Sequence, residues 1–155
     1  MLKDASLLSR RGVLSLVAAT AVVRMARPGA AATAPAISQL KSPTKEALIE
    51  RAYEMKREAQ STGDQAYGAL IATSEGKIVG QAPSRVVVNH DPTAHAEMEA
   101  IRDAASRLGS RNLSGLVMYS SSRPCPMCEA AAYWANIDQM IYGAGGDDAG
   151  SPSLC

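Results

Sequence analysis

Two short segments of this 155-residue sequence combine side chains that bind metal ions and move protons. The first contains His95 and Glu97, and the second contains Cys125 and Cys128 in the order Cys-x-x-Cys. A Cys-x-x-Cys pair alone is compatible with a redox motif, a disulfide or a zinc site. Two thiolates and one imidazole are ligands that zinc favours, and three protein ligands leave a fourth position open for water, as in catalytic zinc sites. We therefore predict that His95, Cys125 and Cys128 bind Zn²⁺.

Glu97 is the candidate general acid and base beside this metal centre. Zinc lowers the pKa of bound water to about 7, and a carboxylate within hydrogen-bond reach can take a proton and pass it to a leaving nitrogen. Residues two apart on a regular helix point in nearly opposite directions. The start of the helix must therefore present both His95 and Glu97 to one pocket.

The surrounding sequence predicts the elements that position these side chains. Apolar residues at helical spacing, preceded by Ser42 and Pro43 or followed by Gly109, indicate helices, and short apolar or alternating runs indicate strands. The predicted helices cover 44–60, 94–108 and 126–136, and the predicted strands cover 66–72, 77–81, 116–120 and 139–142. This order predicts an α/β fold, a three-layer α/β/α sandwich with helices on both faces of a mixed sheet.

The predicted elements place the metal-binding side chains where strand ends meet helix N-termini. The positive end of a helix lowers the pKa of a nearby thiol and so favours the thiolate that binds metal. Tyr133 and Trp134 are expected to pack behind the helix that follows Cys125. Arg123 is either a solvated charge or the ion-pair partner of Asp91 or Glu129.

Charge differs between the start of the chain and the remainder. Residues 1–32 carry five basic residues against one acidic residue, whereas residues 33–155 carry 11 basic and 14 acidic residues, a net charge of −3. A net negative domain lacks the basic surface of a nucleic-acid-binding protein. The expected partner is therefore a small molecule.

The first residues have the order of a secretory signal. Arg10 and Arg11 precede about twelve apolar residues, Gly12 to Val23, and small residues continue through Ala32. The apolar run is shorter than the roughly 20 residues that span a membrane. The arginine pair resembles the twin-arginine export signal. We therefore expect a signal peptide over 1–32, a mature domain over 33–155 without a membrane anchor, and a periplasmic or secreted location, although an unprocessed amphipathic helix and a wrong start codon remain alternatives.

The sequence around the metal ligands resembles the zinc-dependent cytidine and nucleobase deaminase superfamily. His-x-Glu followed by Pro-Cys-x-x-Cys is the signature of these enzymes. It occurs at 95–97 and 124–128, and the flanking segments 91–102, 119–123 and 133–135 are most similar to guanine deaminases and tRNA adenosine deaminases. The resemblance implies a cytidine deaminase-like fold, Zn²⁺ as the cofactor, Glu97 as the proton shuttle and a homodimer.

The same resemblance implies a reaction and candidate substrate contacts. The reaction is hydrolytic deamination of a purine or pyrimidine base or nucleoside, of guanine type, with release of ammonia. Ser84 occupies the position of an Asn that contacts the base in the family, and Ala96 lies between His95 and Glu97. Tyr67, on a predicted strand beside the pocket, is either a core residue or a substrate contact.

Three alternatives to this interpretation stay open. A tRNA adenosine deaminase-like enzyme shares the signature, but the negative net charge and the predicted export disfavour it. A zinc-binding protein of the deaminase fold without turnover would keep the ligands and lose the chemistry. A disulfide or redox pair of Cys125 and Cys128 would leave His95 and Glu97 without a function.

Overall fold

The computed structural model describes residues 35–154. The predicted signal peptide, 1–32, and Cys155 lie outside the described residues. The described part contains three helices and five strands in the order α1 (Lys45–Ser61), β1 (Gly68–Thr73), β2 (Ile78–Pro83), α2 (Ala96–Leu108), β3 (Leu116–Ser120), α3 (Pro126–Trp134), β4 (Gln139–Tyr142) and β5 (Asp147–Gly150).

The five strands form one mixed sheet in the order β2-β1-β3-β4-β5. The β1 strand pairs antiparallel with both β2 and β3, and β4 pairs antiparallel with β5. The β3 and β4 strands are parallel because α3 crosses over between them, with Tyr119 opposite Ile141. The predicted mixed sheet is confirmed. The β5 strand was missed, because three of its four residues are exposed and they show no apolar alternation.

The helices cover both faces of the sheet and produce two cores. On one face, Leu48 and Ile49 of α1 pack with Leu70 and Tyr119. On the other face, α2 and α3 pack against the opposite side chains of the same strands; these helices contribute Ala96, Ala100, Ala104 and Ala132. The predicted three-layer α/β/α sandwich is therefore confirmed.

Two glycines allow the helices to lie very close to the sheet. A Cβ at Gly68 would lie 2.2 Å from the carbonyl oxygen of Ala52 in α1. A Cβ at Gly80 would lie 2.5 Å from the backbone nitrogen of Ala104 in α2. Both positions therefore exclude any larger side chain.

The helix boundaries differ from the predicted ones by up to two residues. The α2 helix begins at Ala96 rather than at residue 94, so His95 is its N-cap rather than part of it. No helix between residues 35 and 154 is long and apolar enough to cross a membrane.

Candidate metal centre and active site

The three predicted zinc ligands converge on one point. The Nδ1 atom of His95 lies 3.7 Å from the Sγ atoms of both Cys125 and Cys128, and the two sulfurs are 3.6 Å apart. Tetrahedral zinc, with Zn–S of about 2.3 Å and Zn–N of about 2.0–2.1 Å, places two sulfurs about 3.8 Å apart and sulfur and nitrogen about 3.5 Å apart. The observed triangle therefore fits zinc. Within the described part of the chain, this is the one cluster of three or more His, Cys, Asp or Glu side chains that could hold a metal ion.

The sulfur–sulfur distance also decides between the alternatives for the cysteines. A disulfide requires about 2.05 Å between its sulfurs, whereas those of Cys125 and Cys128 are separated by 3.6 Å. The pair is a pair of free thiols in this structure. His95 lies close to both sulfurs, so the arrangement is that of a metal site rather than of an isolated redox pair.

Helix caps position these ligands. His95 is the N-cap of α2 and Cys125 is the N-cap of α3, and neither side chain makes a capping hydrogen bond. Pro126 begins α3, where its fixed φ is compatible with the first helical position. Cys128 follows in the first turn and is fully buried. The two caps thus direct their side chains at the metal site instead of at their own helices.

The cap position of His95 explains how residues two apart reach the same pocket. His95 has extended backbone angles, φ −62° and ψ 154°, whereas Glu97 lies in the first turn of α2. The nearly opposite directions expected within a regular helix do not apply across this boundary. Both side chains line the same cavity, as the sequence prediction required.

Glu97 is held beside the metal ligands. Its side chain is buried, with 4% of the residue exposed. The Oε1 atom accepts a 2.8 Å hydrogen bond from the hydroxyl of Ser120, at the end of β3, and Oε2 lies 3.6 Å from the Sγ of Cys128. The carboxylate is therefore fixed at one corner of the ligand triangle.

The protonation of Cys128 is coupled to metal binding. Burial, followed by the negative charge of Glu97, raises the pKa of the Cys128 thiol above its usual range. The positive end of α3 acts in the opposite direction, as the sequence suggested. A bound cation deprotonates a coordinating thiol. Zinc and the Cys128 thiolate therefore stabilise each other.

A cavity of about 560 Å³ opens onto these groups. Its lining consists of Gln65, Tyr67, His95, Glu97, Ser122, Arg123 and Cys125. Tyr67 directly precedes β1 and is 45% exposed, so it is a cavity residue and not a core residue. A larger depression, of about 630 Å³, lies at Asn112 and Asp138, and its lining includes none of the proposed ligands.

Ser84 and Ala96, two of the predicted substrate contacts, are not part of the lining of this cavity. Ser84 is fully buried, and its hydroxyl donates a 2.8 Å hydrogen bond to Asp64 instead of facing the cavity. Ala96 is also fully buried, and it packs in the core between α2 and the sheet. Ser84 supports the segment around Asp64 and Ala96 supports the start of α2, and a contact of either residue with substrate stays a prediction.

Several residues of the site were not recognised from the sequence. Ser120 ends β3 and orients Glu97, while Gln65 and Ser122 line the cavity. Arg123 forms no salt bridge with either of its predicted partners: Asp91 accepts hydrogen bonds from Thr93, and Glu129 accepts one from Ser153. The position of Ser120 at the end of a predicted strand, near the cysteine motif, was the available signal.

Comparison with known proteins agrees with the zinc-binding geometry of this site. Residues 42–144 match the family described as "Cytidine and deoxycytidylate deaminase zinc-binding region". The chain is 38% identical over 105 residues to a guanine deaminase of Bacillus subtilis (strain 168), which covers 67% of each chain. It is 37% identical over 100 residues to a tRNA-specific adenosine deaminase of Aquifex aeolicus (strain VF5), with 64% of this chain and 66% of that protein covered.

A solved structure extends the comparison to three dimensions. The crystal structure of guanine deaminase from Bacillus subtilis matches with a TM-score of 0.62 at 37% identity, over 65% of this chain and 64% of that one. The matched region thus spans about two thirds of the length of these relatives. The chain belongs to the cytidine and deoxycytidylate deaminase family and contains its zinc-binding region.

Proposed function

We propose that this chain is a zinc-dependent hydrolytic deaminase of a nucleobase or nucleoside, with guanine as the leading candidate. The observation that carries the proposal is the buried carboxylate of Glu97, which Ser120 holds against one corner of the His95, Cys125 and Cys128 triangle. Zinc bound there supplies a water of lowered pKa. The net reaction exchanges a ring amino group and water for a ring carbonyl and ammonia.

The two oxygens of Glu97 have different tasks in this proposal. Oε1 accepts the hydrogen bond of Ser120, which fixes the plane of the carboxylate. Oε2 faces Cys128, which has no proton to donate once it is a metal-bound thiolate. Oε2 is therefore the atom that would carry two protons in turn, both from the attacking water: the first to the ring nitrogen, and the second, from the hydroxyl then joined to the ring carbon, to the amino group that leaves as ammonia.

The choice of a small substrate over a tRNA rests on the net charge. The relatives with the identities given above include a guanine deaminase and a tRNA-specific adenosine deaminase. Residues 33–155 carry 11 basic and 14 acidic residues, a net charge of −3, which disfavours binding to a polynucleotide. A free base or nucleoside therefore agrees better with this chain than a tRNA.

Ammonia release across a panel of free bases and nucleosides tests the proposal. We expect turnover of guanine or a related ring by the zinc-loaded protein, and a loss of about 10²- to 10⁴-fold or more in Glu97→Ala, with zinc content unchanged. Cys125→Ser should lose the metal, since it removes one of three ligands. Deamination of an adenosine-containing RNA hairpin but of no small molecule would favour the tRNA-type enzyme. Absence of turnover on every substrate, with zinc present, would favour a binding protein.

We further propose that the protein is exported through a twin-arginine signal. The support is the sequence over 1–32, in which Arg10 and Arg11 precede the apolar run. Replacing both arginines with lysine should retain the protein in the cytoplasm, as measured by cell fractionation. Lysine substitution of Arg24 and Arg27 is the matched control. Periplasmic delivery of the Arg10 and Arg11 variant would contradict the proposal.

We propose in addition that the chain forms a homodimer. The support is the family resemblance together with an exposed aromatic pair on α3, in which Trp134 is 72% and Tyr133 42% exposed. Exposed aromatic residues are frequent at protein interfaces. Sedimentation equilibrium should give twice the mass of the chain, and a concentration-independent monomer would contradict the proposal.

A further inference from the structure

Arg123 differs from most arginines of the described residues in having no acidic partner. Seven arginines lie between residues 35 and 154, and five of them form salt bridges: Arg51, Arg57, Arg85, Arg102 and Arg107. Arg111 and Arg123 form none within this part of the chain. Of these two, Arg123 lines the cavity that contains His95 and Glu97, and Arg111 does not.

The backbone around Arg123 is held in place. Two residues earlier, Ser121 exchanges hydrogen bonds with Gly68, one through its backbone nitrogen at 2.9 Å and one through its hydroxyl at 3.1 Å. The following residue, Pro124, is buried and restricts the backbone of Arg123 to extended conformations. The backbone of Arg123 is therefore held in a fixed position at the cavity, although its side chain is exposed.

The charged groups of the cavity lie at different depths. Glu97 is 4% exposed and lies against the metal ligands, whereas Arg123 is an exposed residue of the same lining. These are the two charged residues of the lining apart from the metal ligands. A substrate that is neutral at its amino-bearing edge and negative at its opposite end would place the negative end near Arg123 and away from Glu97.

We propose that Arg123 recognises an oxyanion, a phosphate or a carboxylate, carried by the substrate at the end remote from the reacting amino group. This inference rests on the proposed deaminase function. A guanidinium offers a planar fork of N–H donors that matches such groups. The neutral side chains of the lining, Gln65, Tyr67 and Ser122, can donate further hydrogen bonds to the same oxyanion. The cavity of about 560 Å³ lies within the range of pockets that enclose a ring with substituents, about 300–1,000 Å³.

Matched substrate pairs test this assignment. The pairs are guanosine and guanosine monophosphate, cytidine and cytidine monophosphate, and pterin and pterin-6-carboxylate, so that phosphate and carboxylate are examined separately. We expect the wild type to have a kcat/KM about tenfold higher for the anionic member of at least one pair. The preference should decrease as KCl increases, because the guanidinium is exposed to solvent.

Three variants locate the effect. Arg123→Gln should lower kcat/KM about tenfold more for the anionic member than for the neutral member, so that the preference is lost, and Arg123→Lys should keep part of the preference. Arg111→Gln is the matched control, because it also removes an exposed arginine without a salt bridge, but outside the cavity. An unchanged ratio in Arg123→Gln would overturn the proposal, and so would an equal decrease in both glutamine variants.

A binding measurement separates this inference from the proposed activity. Xanthosine and xanthosine monophosphate, the deaminated products of the guanine pair, can be titrated by calorimetry without turnover. We expect the wild type to bind xanthosine monophosphate about tenfold more tightly than xanthosine. Arg123→Gln should bind the two ligands with equal affinity. Turnover of neutral rings without any anionic preference would refute the role of Arg123 and leave the deaminase function standing. Anion-dependent binding without turnover of any ring would do the reverse.

Discussion

Ser120 is the link between the sheet and the proposed proton carrier, so its replacement is the most direct test of how the fold controls the site. Ser120 is fully buried at the end of β3, and its hydroxyl donates a 2.8 Å hydrogen bond to Oε1 of Glu97. Ser120→Ala removes this donor and leaves one oxygen of a buried carboxylate without a partner. The metal ligands are untouched by the change.

The expected magnitude follows from the charge and burial of the acceptor. A hydrogen bond to a charged group contributes about 1.5–3 kcal/mol, and both partners here are shielded from water. If this free energy orients Glu97 for proton transfer, its loss lowers kcat by about 10- to 100-fold. We expect the free energy of unfolding to decrease by a similar amount, about 1.5–3 kcal/mol.

The assay combines three measurements on the same preparations: the kcat of ammonia release, zinc content, and urea unfolding. Ser122→Ala is the matched control, because Ser122 also lines the cavity but makes no side-chain hydrogen bond in the described structure. Its free energy of unfolding should change by less than about 0.5 kcal/mol. A kcat and a stability of Ser120→Ala equal to those of the wild type would refute the view that Ser120 positions Glu97, and zinc loss in Ser120→Ala would show that it acts on the metal instead.

The remaining predictions concern protons and packing. Burial and the charge of Glu97 raise the pKa of the Cys128 thiol, so this thiol stays protonated at neutral pH in the zinc-free protein. Zinc affinity, measured by dye competition, should therefore increase about tenfold per pH unit between pH 6 and 8 for each proton that zinc displaces. A zinc affinity that does not change with pH would contradict this prediction. Burial raises the pKa of Asp64, but hydrogen bonds, the largest from Val88, outweigh it and lower the pKa below the usual value. The stabilising contribution of Asp64 is therefore complete above about pH 3.9 and is lost as the pH falls through the lower pKa of the folded state. Urea unfolding should show this loss of stability at acid pH in the wild type and less of it in Asp64→Asn. The substitution itself should lower the free energy of unfolding by about 1–3 kcal/mol at pH 7. Gly68→Ala should lower the free energy of unfolding by about 3 kcal/mol or more, because its Cβ would lie 2.2 Å from backbone atoms, whereas Gly145→Ala, 3.6 Å from its nearest neighbour, should cost less than about 1 kcal/mol in thermal unfolding.

The metal centre and the central strands could be predicted because their signals are local. The predicted strands 116–120 and 139–142 agree with β3 and β4 at both ends, since each is a short apolar run that the sheet buries. The ligands His95, Cys125 and Cys128 lie next to helix starts that proline, alanine and acidic residues also mark. In both cases, neighbours in the sequence are sufficient to specify the local structure.

Features that depend on distant residues were not predictable in this way. The hydroxyl of Ser84 donates a hydrogen bond to Asp64, twenty residues earlier, and no local sequence pattern around Ser84 indicates this partner. Tyr133 and Trp134 were expected to pack behind the metal helix, yet they are 42% and 72% exposed, because α3 buries the small side chains of Cys128 and Ala132. Burial of small residues leaves no periodic apolar signal that separates one helix face from another.

The same small residues explain why the ligands meet. Serine, threonine, aspartate and asparagine at an N-cap stabilise a helix by about 1 kcal/mol through a side-chain hydrogen bond, and His95 and Cys125 make none. The side chains of His95 and Cys125 can bind the same metal ion only if the two helix starts lie within a few ångströms of each other. Alanines on the buried faces of α2 and α3 bring both helices close to the strands, and Gly80 admits α2 to β2. The geometry of the metal centre therefore depends on an alanine-rich core whose members carry no chemistry.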